Sequence, residues 1–135
     1  MRIYKYLILL LIVSCNLNNE NNKEIKHSKD KVAKFAISEL MGQPFETIKV
    51  DKSEGDKFSL SYARQSDSKL FNYDVTVING KVAWRVKNGR WRNSEYDEKI
   101  NYFDSNDTLA LKITDFDKSE RVTKFKWKIN LQLQF

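Results

Sequence analysis

The chain has 135 residues, 24 of them basic and 18 acidic, for a formal net charge of +6. That length suits one domain with a modest core, and a single cysteine excludes any disulfide within the chain. The single histidine, His27, leaves no Cys-His or Ser-His-Asp arrangement and no ordinary zinc site to expect in the folded part.

Arg2 and Lys5 precede the run Leu7-Ile8-Leu9-Leu10-Leu11-Ile12-Val13, which Ser14 and Cys15 close. A charged start, a short apolar stretch and a small residue at its end have the layout of a secretory signal. Seven apolar residues rise only about 10 Å as a helix, and a bilayer core needs ~20, so the run is too short to span. The tetrad Ile12-Val13-Ser14-Cys15 resembles the lipobox of bacterial lipoproteins. That resemblance implies cleavage after Ser14, a diacylglyceryl thioether on the Cys15 sulfur and an acylated new N-terminus, with palmitate-type chains as the anchor. It also implies residence in the cell envelope. Asn16, where Asp is associated with inner-membrane retention, favours the outer membrane in a Gram-negative host.

Residues 1–14 are thus read as a signal peptide, 15–27 as a lipid-anchored flexible tether and 28–135 as one globular domain. Loss of residues 1–14 removes Arg2 and Lys5 and no acid, leaving 22 basic against 18 acidic residues and a net charge of +4. The tether, rich in Asn, carries too little apolar surface to offset the entropy of ordering it. His27 within it is read as a solvated linker residue. The positive charge is spread along a secreted chain, so nucleic acid is not an expected partner, whereas anionic headgroups or an acidic envelope partner are.

Ser28 to Met41 is predicted to be a helix with Val32, Phe35, Ala36, Leu40 and Met41 on one apolar stripe and Lys31, Lys34, Ser38 and Glu39 opposite. Ser28 is the predicted cap, Gly42 the left-handed stop, and Pro44 bars continuation. The remainder alternates with period two. Strands are marked by Ile48 and Val50, by Phe58, Leu60 and Tyr62, and by Phe71, Tyr73, Val75 and Val77. Asn79-Gly80 is a strong hairpin signal and leads into Val82, Trp84 and Val86. Ile100 with Tyr102 and Leu109 with Leu111 and Ile113 mark two more. The last strand is read from Phe125 through Trp127, Ile129, Leu131 and Leu133 to Phe135. The expected fold is α+β: one N-terminal amphipathic helix packed on an antiparallel meander of about six to seven strands. Leu40-Met41-Gly42-Gln43-Pro44 and Asn79-Gly80-Lys81-Val82 also resemble the small lipoprotein of the outer-membrane barrel assembly machine, whose sheet follows two helices rather than one.

Chemistry-bearing patterns are few. Asp115-Phe116-Asp117-Lys118-Ser119 opens like a calcium loop but has Glu120 at its sixth position and Lys126 at its twelfth, so it reads as a polar turn. Adjacent Asp97 and Glu98 point to opposite sides of an extended backbone and would not flank one glycosidic bond. No catalytic residue, metal or cofactor is expected. Gly89-Arg90-Trp91-Arg92, with Arg85 and Trp84 upstream, combines the residue types most enriched at binding hot spots. Arg85, Arg90, Trp91 and Arg92 are therefore the candidate partner-binding residues. The structural alternative has Trp91 completing the core while Arg90 or Arg92 pairs with Asp97 or Glu98 to pin an irregular crossing. The sequence points to a non-enzymatic envelope lipoprotein that binds an envelope protein or wall polymer. An exclusion or inhibitor lipoprotein of phage or plasmid type, an outer-membrane assembly accessory and a carboxylate-dependent wall hydrolase are the alternatives.

Overall fold

The structure, a computed structural model, describes residues 27–105 and 107–126. Ser14, Cys15, most of the tether and the Trp127–Phe135 part of the expected last strand lie outside the described residues. Among the described residues one α-helix and seven strands follow one another, with a single 3-10 turn at Phe45–Thr47 after the helix: α1 Lys29–Met41, β1 Lys49–Glu54, β2 Lys57–Ala63, β3 Leu70–Ile78, β4 Lys81–Val86, β5 Lys99–Ser105, β6 Thr108–Thr114 and β7 Glu120–Lys126. The strands form one antiparallel sheet whose spatial order is the chain order, β1 through β7.

Helix α1 starts at Ser28, whose carbonyl accepts the Lys31 and Val32 amides at 3.1 and 3.2 Å but whose hydroxyl caps nothing. It stops at Gly42, which adopts φ 62°, where a side chain would be strained. The expected two-faced helix is not what forms. Val32, Ala33, Phe35, Ala36, Ile37 and Ser38 are all buried, while Leu40 and Met41 of the expected stripe are only partly so. The reason is the shape of the sheet. The helix packs on β1, β2 and β3, yet its Phe35 ring also meets Phe125 of β7, centroids 5.3 Å apart, and Phe45 just beyond the helix lies 4.7 Å from the same ring. Seven strands laid flat would separate β1 from β7 by about 29 Å, so the sheet must curl around the helix and cover more than one side of it. Ser38, expected on the solvent side, is buried and donates its hydroxyl to the Gln43 carbonyl at 2.5 Å.

Residues facing the helix alternate as the period-two pattern requires. Phe58 and Leu60 on β2, Val75 and Val77 on β3, Val82 on β4, Ile100 on β5, and Leu109, Leu111 and Ile113 on β6 form the core. Asn79 and Gly80 both take positive φ, 50° and 76°, and close the β3–β4 hairpin. Strand β7 begins earlier than expected. The Asp115–Ser119 stretch is a tight turn, with the Asp115 amide bonded to the Ser119 carbonyl at 2.9 Å, so pairing with β6 starts at Glu120 opposite Thr114.

His27 is not a solvated linker residue. Its amide and its Nδ1 both bond the Asp104 carboxylate at the end of β5, at 2.5 and 2.6 Å, and its side chain is 3% exposed. With Lys29 paired to Asp56 in the β1–β2 turn, it fixes the start of α1 to both halves of the sheet.

Candidate functional site

The β4–β5 connection, residues 87–98, is the longest crossing between neighbouring strands among the described residues. β5 pairs with β4 only at Lys81–Asn101 and Val82–Ile100, which leaves the far half of β4 without a strand on that side. The crossing fills the gap: the Gly89 amide bonds the Val86 carbonyl at 2.7 Å and the Arg92 amide bonds the Trp84 carbonyl at 2.9 Å. All four candidate residues meet here. Arg85 is on β4, and Arg90, Trp91 and Arg92 are on the crossing.

Register decides which side each group occupies. Trp84 pairs with Val75 and so faces the core, where it meets the edge of Tyr73 at 5.9 Å. Arg85 pairs with Asp74 and lies on the opposite, outer face, its Nε 2.8 Å from Asp74 Oδ2. The other Asp74 oxygen accepts the Ser59 hydroxyl at 3.1 Å. The crossing straddles the strand. Trp91 stacks on Arg85, ring centroid to Cζ 4.6 Å, and Arg92 lies over Trp84 at 5.1 Å.

Carboxylates fasten this arrangement. Asp97 takes both Arg90 terminal nitrogens at 2.8 and 3.0 Å and the Ser94 amide and hydroxyl at 3.0 and 2.8 Å. Glu98 takes Arg92 at 3.2 and 3.3 Å and the Trp84 indole N–H at 2.8 Å. The expected pairing of Arg90 and Arg92 with Asp97 and Glu98 is present. Trp91, however, is partly buried against Arg85 and takes no part in the core. Burial is the largest influence on the Glu98 and Asp74 carboxyls and pushes them up. Arg92 with the Trp84 indole and a backbone amide at Glu98, and Arg85 with the Ser59 hydroxyl at Asp74, together more than offset it, so both sit below their ordinary values. The Arg90 guanidinium, aided by Ser94, holds Asp97 well below that range. The site therefore presents fixed cations and ring faces, and these three carboxyls carry no proton at neutral pH. Among the described residues no cluster of His, Cys, Asp or Glu is placed to hold a metal.

The sign of the acid dependence follows. An unfolded aspartate titrates near pH ~3.9, so the stability that ionised Asp97 contributes is fully present above that value and is lost as pH falls toward its lower folded value. Asp97→Asn is expected to melt below the unmodified chain near neutrality, with the gap closing between roughly pH 5 and pH 1. A gap constant across that range in thermal melts would mean that the charge of Asp97 contributes nothing.

Beneath the crossing lies an open cavity of about 450 Å³, lined by Thr76, Lys81, Ala83, Asn93, Glu98 and Asn101 among others. Comparison with protein-family models, curated proteins and solved structures finds no match to the chain. Asp74 is the site residue that sequence reasoning left unplaced. The signal was there: the Asn79-Gly80 turn pairs Ile78 with Lys81, and counting four steps outward puts Asp74 opposite Arg85.

Proposed function

We propose that the chain is a cell-envelope lipoprotein, held through Cys15 by lipid, whose domain is a non-enzymatic binding module for an envelope protein or a wall polymer. The observation that carries the reading is the Trp91–Arg85 stack. Trp and Arg dominate binding hot spots because each offers a large contact area with a polar or charged edge. Here the pair is partly buried on the outer face, and the Asp74 salt bridge and the pinned crossing hold it in place before any partner arrives, which lowers the ordering cost of binding. The apolar run ending at Ser14-Cys15 supports the anchored address.

Trp91→Ala tests the site without touching the ion pairs of Arg90 and Arg92. Crosslinking in the native envelope is expected to lose the partner adduct by about tenfold or more, an effect typical of a hot-spot truncation, while the urea midpoint changes little. An adduct of undiminished yield would remove Trp91 from the site. In the same cells Cys15→Ser is expected to shift the protein from the membrane fraction to the soluble one, and retention in the membrane fraction would overturn the lipid anchor.

A further inference from the structure

We propose that the outer face of β5, β6 and β7 docks on the surface of an anionic phospholipid bilayer. It continues the outer face of β4, beyond the open cavity that Lys81 and Lys99 share with Arg92 and Glu98 of the crossing. The register rows build it. Lys81, Asn101, Lys112 and Val122 lie side by side across four strands. Phe103, Ala110 and Lys124 form the next row, Ser105, Thr108 and Lys126 the one beyond, and Lys99, Thr114 and Glu120 flank the first row on its other side.

Two properties of this face select the partner. The first is charge. Its one acid, Glu120, is paired with Lys112 at 3.3 Å, while Lys81, Lys99, Lys124 and Lys126 make no ion pair among the described residues. The carboxylates of Asp107, Asp115 and Asp117, which accept from the Thr108 and Ser119 hydroxyls, lie in the turns beside the face and not in its rows. The second is that Phe103 and Val122 stand 60% and 58% exposed between these lysines. Strands ~4.8 Å apart make the array about 15 Å wide and comparably long, a two-dimensional field broader than a single polymer strand, with the open cavity only at its β4–β5 border. Lysines spread over a plane, with apolar side chains projecting among them, match a headgroup layer in which the ammonium groups meet lipid phosphates and the apolar groups reach past them. This inference does not depend on the lipid at Cys15 or on the Trp91 site.

Vesicle sedimentation of the full chain carrying Cys15→Ser, which cannot be lipidated, tests it. Vesicles of phosphatidylcholine alone give the baseline, and equal parts phosphatidylcholine and phosphatidylglycerol give the anionic surface. The triple change Lys99→Gln, Lys124→Gln and Lys126→Gln is expected to lower partition onto anionic vesicles roughly a hundredfold, and Phe103→Ser to lower it further. A matched triple elsewhere, Lys49→Gln, Lys69→Gln and Lys87→Gln, is expected to change it less than about threefold, because charges off the docking face lie beyond the reach of the surface potential. Equal losses for the two triples would reduce the effect to net charge and overturn the proposal. So would vesicle binding indifferent to Phe103→Ser combined with an equal loss of heparin binding in the first triple, which assigns the face to a linear polyanion instead. Trp91→Ala, which leaves this face intact, is expected to bind vesicles as the unmodified chain does.

Discussion

Ile37→Ala is expected to destabilise the domain by about 3 kcal/mol, and Leu40→Ala by only about 1 kcal/mol. Ile37 is 0% exposed in the middle of α1, enclosed by the curled sheet, whereas Leu40 is partly buried near the helix end. Removing three carbons from an enclosed site forfeits their transfer energy and leaves a cavity that the surrounding strands fill only in part. At Leu40 the neighbours already border solvent and can close in. Urea unfolding with unchanged slope measures both values. The ordering is what matters: a helix with a single apolar stripe through Leu40 predicts the reverse. A larger loss at Leu40 than at Ile37 would mean that the sheet does not wrap the helix.

The second large effect is at Asp74. Its side chain is 7% exposed and its partner Arg85 is 23% exposed beneath Trp91. Asp74→Ala leaves that partly buried guanidinium without its acceptor and deprives the Ser59 hydroxyl as well, a loss of about 2 kcal/mol. The double change Asp74→Val with Arg85→Met removes both charges and keeps the volume filled, so stability is expected to return to within about 1 kcal/mol of the unmodified chain. Partner capture is not expected to return with it, since the Arg85 half of the stack is gone. Strictly additive destabilisation in the double variant would show that the two side chains do not act as a pair.

The strands were legible because each buries one face, and burial of one face writes a period of two into the sequence. Asn79-Gly80 went further and set the register that pairs Asp74 with Arg85. Strand β7 shows where the pattern misleads. Its inward position opposite Ile113 is Arg121 and its outward position opposite Lys112 is Val122, so the alternation is inverted over its first residues and regular only from Thr123 and Lys124 on. Helix α1 misleads for another reason: burial of Ala33, Ile37 and Ser38 comes from the curvature of strands far along the chain, which no local window contains. His27 belongs with these, because nothing near it in the sequence marks Asp104 as its partner. In the site, the pairings of Arg90 and Arg92 with Asp97 and Glu98 were readable from their proximity. The stacking of Trp91 on Arg85 rather than in the core depends on how the crossing straddles β4.

Because the strands lie in the sheet in the order in which they are made, nearly every pairing forms between segments adjacent in the chain, which keeps loop-closure costs small and favours rapid assembly hairpin by hairpin. The exceptions are the contacts that bind the first element to the later strands: Phe35 against Phe125, and His27 on Asp104 across 77 residues. These carry the largest closure entropy in the domain and have nothing to grip until β5 to β7 are in place. A chain emerging N-terminus first therefore lacks the β7 side of the helix's seat until Phe125 is in place.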